Sequence, residues 1–274
     1  MAELRMDKSE SIAFMLAFGL AFFSGCTTIQ TTSDAKSTPA PFTVIAKHSK
    51  TPVLVDGYLD DDVWQKTPSY SFSISRGYSL PLEKRIDKRP NIGKLAEPGE
   101  IKIAWDEKFL YVGAKLYDSD VVQENEENQK HHYLSGDVIE IFIKPEKNTW
   151  YWEIYGTPND KKTVFWYPGR GRAGLQSGFE PTMDLDSVVI KTQIKGTLNN
   201  WKDKDEYWTM EIAIPVKELT RLGDAFDNNS RWRILIGRYN YSRYIPWKEL
   251  SMVPQLSRTN FHLLEEFGIL RFEK

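Results

Sequence analysis

Between Phe42 and Lys274 the chain is a series of short β-patterned runs set apart by turn residues, with almost no long amphipathic helix, and this confines it to few architectures. The runs are Phe42–Ala46, Val53–Val55, Tyr70–Ser75, Glu100–Trp105, Phe109–Tyr117, Gly136–Lys144, Trp150–Tyr155, Lys162–Tyr167, Val188–Ile194, Tyr207–Ile214, Trp232–Tyr241 and Phe267–Phe272. Several alternate apolar and polar residues, as a strand with one buried face must. Asp106-Glu107-Lys108 reads as the turn of a hairpin between two of them. Roughly ten strands at this spacing predict one all-β domain over 42–274, an antiparallel β-sandwich of immunoglobulin or jelly-roll type. Short helical excursions are expected at Asp60–Trp64, Asp118–His132 and Pro215–Leu222, and long surface loops at Arg76–Gly99 and Pro168–Pro181.

Charge narrows the partners. With 36 basic against 38 acidic residues the net charge is -2, which lacks the electrostatic footprint of a nucleic-acid binder. The surplus is aromatic: 9 Trp, 13 Tyr and 14 Phe, a set large enough to fill a sandwich core and still leave stacking platforms. Trp64, Trp105, Trp208 and Trp232 lie in strand or packing contexts and are expected in the core, whereas Trp150, Trp152 and Trp166 fit either role.

The sole cysteine, Cys26, follows the apolar run Ile12–Phe23 and the small pair Ser24-Gly25. That run is too short to span a bilayer and suits a signal-peptide core. Residues 1–26 resemble a bacterial lipoprotein signal, which implies lipidation of Cys26 and a membrane-anchored protein of the outer membrane or cell surface, with contact to the membrane through the lipid alone; a plain secretory signal is the alternative. Residues 27–41 are rich in Thr, Ser and Pro, a composition that cannot bury enough apolar surface to order itself, and read as a tether. An exported chain with one cysteine makes no internal disulfide, so the fold rests on burial.

Gly136–Lys144 contains the most unusual pattern. Val138, Glu140 and Phe142 share one face and Ile139, Ile141 and Ile143 the other. A carboxylate beside Phe142 must be solvated, paired or used.

Several phrases, in order, resemble a family 9 carbohydrate-binding module with its DOMON-like sandwich. They are Val55-Asp56-Gly57-Tyr58-Leu59-Asp60 with Trp64, Ala104-Trp105-Asp106 with Leu110-Tyr111-Val112, and Gly136-Asp137-Val138-Ile139-Glu140-Ile141-Phe142. Tyr151-Trp152-Glu153-Ile154, Gly196-Thr197-Leu198-Asn199, Trp208–Pro215 and Phe261-His262 before Phe267-Gly268 complete the series. The resemblance implies non-catalytic binding of a sugar between two aromatic rings beside a strand Glu. It puts that Glu at Glu140, one ring at Tyr133 and the other, in the loop before the last strand, at Trp247. It also implies a role in holding polysaccharide or glycan ends at the envelope for polysaccharide-degrading enzymes on other chains.

The chemistry of such a site is simple. Aromatic faces cover the C–H faces of a pyranose, and charged groups bond its rim hydroxyls. Tyr133, Tyr241 and Trp247 are candidates for the first role, Glu140 and Arg238 for the second, with Tyr239, Tyr244, Asn240 and Arg243 near in sequence. Glu153 and Glu211 read as carboxylates that face water or pair with Arg on adjacent strands of an exposed sheet. A glycoside hydrolase using two carboxylates is the enzymatic alternative; Asp137 and Glu140, three positions apart, would face opposite ways on a strand, while a cross-strand pair such as Glu140 with Glu153 stays open. A structural envelope sandwich without a ligand is the other. Asp60, Asp62, Asp118 and Asp120 offer oxygen ligands for a structural calcium, but no EF-hand spacing singles out a site. His131-His132 diverge if extended and make a poor metal pair.

Overall fold

The computed structural model describes residues 41–79, 94–169 and 185–274. The leader with Cys26 and the tether up to Ala40 lie outside the described residues, as do the middle portions of the two long loops. Twelve strands are described: β1 (Thr43–His48), β2 (Tyr70–Ser71), β3 (Gly99–Trp105), β4 (Phe109–Tyr117), β5 (Val138–Pro145), β6 (Tyr151–Gly156), β7 (Lys162–Tyr167), β8 (Val189–Lys195), β9 (Tyr207–Pro215), β10 (Trp232–Asn240), β11 (Glu249–Val253) and β12 (Gly268–Glu273). Two short α-helices, α1 (Asp62–Lys66) and α2 (Val216–Leu219), and several single 3-10 turns interrupt them among the described residues. No described helix is long and apolar enough to cross a membrane.

The strands run in the order β7-β6-β5-β10-β12-β1-β3-β4-β9-β8, with β2 added to β3 and β11 to β10. All pairings are antiparallel except those of β1, which lies parallel to both β12 and β3. The β3–β4 hairpin forms as the spacing predicts, Ile103 opposite Val112.

The sheet folds over itself because alternate residues of both halves are apolar. Ile139, Ile141 and Ile143 of β5 share the main core with Ile101 and Ile103 of β3, Val112 of β4 and Met210 and Ile212 of β9. Trp64, Trp105, Trp208 and Trp232 are buried, as expected, and so is Trp152. A second apolar cluster covers the opposite face of β5, β6 and β10, where Phe142, Tyr151, Tyr155, Phe165 and Leu235 pack under Phe261 and Phe267. A third seals Ala104, Tyr111 and Ala213 beneath Val53 and Trp64.

Three sequence expectations fail locally. Val53–Val55 forms no strand; Asp56 and Gly57 give their N–H groups to Glu211 instead of to a strand partner. Only the first two residues of Tyr70–Ser75 pair as a strand. Asp118–His132 is not helical, because side chains take its backbone donors: Val121 donates to Asp205, Val122 to Asp137 and Gln123 to Asn199. Sequence reading also misses β11, whose Glu-Leu-Ser-Met-Val run alternates weakly and is held by pairing with β10.

Gly136 anchors that irregular stretch. Its φ is +152° and a Cβ there would come 2.2 Å from the Val122 carbonyl oxygen. Gly136→Ala is therefore expected to lower stability by about 2 kcal/mol, seen as a lower urea midpoint at unchanged slope. An unchanged midpoint would contradict this account of the turn.

Candidate functional site

Glu140 lies on the β5 face shared with Val138 and Phe142, between Tyr155 of β6 and Gly237 of β10. The glycine opposite Glu140 has a steric reason. A Cβ at Gly237 would come 2.5 Å from the Phe261 ring, so its absence lets Phe261 lie against the strand. The result is a cavity of about 530 Å³ lined by Tyr133, Glu140, Glu153, Tyr155 and Tyr239, with Leu250 and the stretch Arg258–His262 as further walls.

Glu153 stands opposite Phe142, one step diagonal from Glu140 on the same face, a placement that separates such positions by about 7–8 Å. Both glutamates are buried, Glu140 to 2% and Glu153 to 2% exposure, so Glu153 is neither a solvent-facing nor an exposed-sheet residue as its sequence context suggested. The Tyr155 hydroxyl donates to Glu153 Oε1 at 2.6 Å. Burial, then the nearby charges of Glu140 and Glu153, push the Tyr155 and Tyr239 hydroxyls well above the usual phenol range, so both remain proton donors. The Tyr133 ring lies 5.4 Å from Tyr239 and edge-on to Tyr155 at 6.3 Å. On the far wall His262 Nδ1 is 2.8 Å from the Tyr151 hydroxyl, and its ring meets Phe142 edge-on. Aromatic walls around buried carboxylates and phenol donors can hold a ligand with apolar faces and a hydroxyl rim.

Of the residues singled out in the sequence, the structure brings Tyr133 and Glu140 together and separates the rest. Arg238 is fully buried on the other side of β10. It continues the inward row Trp232, Ile234 and Ile236, and donates to the carbonyls of Glu97 and Tyr117 at 2.9 and 2.7 Å and to Asp118 at 3.2 Å. It cannot reach the cavity. Asn240 follows in the same row and donates to Glu97. Tyr241 caps the end of β10, where its N–H donates to Asp137 and its hydroxyl to the Tyr133 carbonyl; it positions Tyr133 and does not line the cavity. Trp247 is exposed and lines a separate narrow cleft of about 70 Å³ with Tyr78, Lys94 and Lys248. Since β11 intervenes, Trp247 is not in the loop before the last strand; that loop is 254–267, and it presents Phe261 and His262 to the cavity. The parity of Ile234 and Ile236 carried enough signal to place Arg238 inward and Tyr239 outward, whereas β11 hid the identity of the second wall.

Three of the four acidic residues offered for calcium are engaged with cations. Asp118 and Asp120 pair with Arg238 and Arg243, Asp62 with Lys66, and among the described residues no three His, Cys, Asp or Glu side chains converge as ligands. The adjacent histidines diverge: His132 is buried against the Glu127 carbonyl and Thr163, while His131 stacks on Phe165 at 5.6 Å.

Residues 55–230 match the family described as carbohydrate family 9 binding domain-like. A solved structure from Bacteroides uniformis, provisionally described as a carbohydrate-binding protein, superposes with a TM-score of 0.66 at 12% identity, over 85% of this chain and 100% of that one. A family 9 carbohydrate-binding module from Caldicellulosiruptor kristjanssonii, solved with cellotriose, superposes with a TM-score of 0.52 at 16% identity, over 84% and 93% of the two chains. The same module solved with glucose gives a TM-score of 0.52 and 16% identity over 84% and 95%. No curated protein matches the chain in sequence. At these identities the structural likenesses establish the β-sandwich fold.

Proposed function

The chain belongs to the carbohydrate family 9 binding domain-like family, and from that premise we propose that it binds carbohydrate without cleaving it, in the cavity around Glu140. The carrying observation is the pairing of Glu140 and Glu153 on one buried floor under Tyr133, Tyr239 and Phe261. Bound cellotriose and glucose in the Caldicellulosiruptor modules support the ligand class. The leader ending at Cys26 and the Thr/Ser/Pro tether support the finer reading. In it, the sandwich is lipid-anchored at the envelope and holds polysaccharide or glycan ends for enzymes carried on other chains.

The test is affinity electrophoresis and calorimetry of the full chain against a panel of soluble glucans and short oligosaccharides. Glu140→Gln removes the charge from a charge-assisted hydrogen bond worth about 1.5–3 kcal/mol, so affinity is expected to fall roughly 10- to 150-fold. If no glycan binds, or if the variant binds as well as the parent, this reading fails. The diagonal placement of Glu140 and Glu153 favours one second reading, hydrolysis by a carboxylate pair. Release of reducing ends from a bound glycan, abolished by Glu153→Gln, would replace the binding function with that one.

A further inference from the structure

At the end of the sandwich where β4 finishes and β9 begins, the loops 196–206 and 241–248 carry a second set of aromatic side chains that the cavity does not use. Trp201 is 75% exposed, Tyr244 48% and Tyr117 46%. The loops are joined, since the Tyr244 hydroxyl and Arg243 Nη2 both donate to the Asp203 carbonyl. Tyr117 and Tyr207 are paired across β4 and β9 with rings edge-on at 6.2 Å.

Every one of these rings has a cation over it. Lys115 Nζ lies 4.6 Å from the Tyr207 centroid and 5.5 Å from that of Tyr117. Lys204 and Arg243 lie 5.2 and 4.9 Å from Tyr244, and Lys202 lies 5.6 Å from Trp201. Arg243 is paired with Asp120, but Lys115, Lys202 and Lys204 have no carboxylate partner among the described residues. Of the acidic side chains at this end, Asp120 pairs with Arg243, Glu206 with Lys195, and Asp205 accepts backbone N–H groups, while Asp203 lies between Lys202 and Lys204 in sequence. In the two loops no Leu, Ile, Val or Met is exposed.

We infer that this aromatic–cationic end is a second site, for anionic polysaccharide of the uronic acid class. A uronate pyranose presents a C–H face and, on the same ring edge, a carboxylate. Each ring-plus-ammonium unit matches that pair of features. A bilayer would call for exposed aliphatic side chains that the loops lack. The site is independent of the Glu140 cavity, so either can fail alone.

Affinity electrophoresis in polygalacturonate tests it with the full chain. Retardation is expected, weakening at least tenfold between 50 and 500 mM salt, on the order of what screening of exposed charges allows. The exposed variant Trp201→Ala/Tyr244→Ala/Lys202→Glu/Lys204→Glu should lose at least tenfold in affinity for polygalacturonate while keeping its melting temperature and its binding to neutral glycans. Glu140→Gln should retain polygalacturonate binding. Equal retardation of parent and strip variant, or binding of phosphatidylglycerol vesicles or oligothymidylate in place of polygalacturonate, overturns the assignment.

Discussion

Arg238→Ala is expected to lower the unfolding free energy by about 3–5 kcal/mol, because removing one partner of a buried charge network leaves the others uncompensated. The guanidinium pairs with Asp118 at 3.2 Å and acts electrostatically on Asp137. Asp118 and Asp137 are both buried, and each holds up irregular backbone. Asp118 accepts from Asp120 N–H, and Asp137 from Val122 and Tyr241. Arg238 also satisfies the carbonyls of Glu97 and Tyr117. Its loss therefore loosens three connections at once, including the turn that holds Tyr241 against Tyr133. Lysine should not restore the stability, since one ammonium cannot fan out to these acceptors in the plane that guanidinium provides. Urea denaturation of the parent, Arg238→Ala and Arg238→Lys checks this; a loss below about 1 kcal/mol for the alanine variant would mean that the network relaxes without its cation.

Arg238 also marks the boundary of what could be read from the chain. Strand periodicity exposed the sandwich, its core tryptophans and the odd position of Glu140, because period two depends only on neighbours in sequence. Family phrases such as Gly136–Phe142 and Trp208–Pro215 then indicated the family to which the chain belongs. What local pattern does not carry is long-range packing. Charge points to Arg238 and the family resemblance to Trp247 as site residues, yet Arg238 is buried and bonds to the Glu97 carbonyl and Asp118. Trp247 is displaced from the cavity by a strand, β11, that local pattern hardly shows. Phe261 was visible as part of a motif, but its approach to Glu140 depends on Gly237 two dozen residues earlier. Glu153 and Glu211 looked like ordinary strand carboxylates; only the layer above each buries it.

Glu211 sets the last expectation: the protein should be more stable at pH 5 than at pH 7.5. The Glu211 carboxylate is sealed beneath the 53–64 segment, where burial pushes its pKa from 4.5 up to about 7 against the opposing N–H bonds of Asp56, Trp64 and Gly57. Burial likewise raises Asp118, against the pull of Arg238, and raises Asp137, with Asp118 adding to the effect. Folded protein thus keeps protons that the unfolded chain releases from its ordinary carboxyl range. The stabilisation is fully present below about pH 4 and is lost as pH rises through about 7. For Glu211 alone the displacement corresponds to roughly 3 kcal/mol. Of the carboxylates displaced the other way, Glu107, Glu127 and Glu273 are paired with His48, Lys130 and Lys47 at the surface, where screening keeps their influence small, and against the effect of burial Glu266 is held down by Ser257. Urea midpoints across pH 4.5 to 8 should therefore fall with pH and level off above about 8. Glu211→Gln should flatten most of that slope while lowering absolute stability. Arg238→Ala should steepen it, because Asp118 and Asp137 then hold their protons to still higher pH, and its deficit should shrink at the acid end. A midpoint that rises from pH 5 to 7.5 would show that these carboxylates are charged and compensated in the folded state, and the account of Glu211 as a buried proton holder would fail.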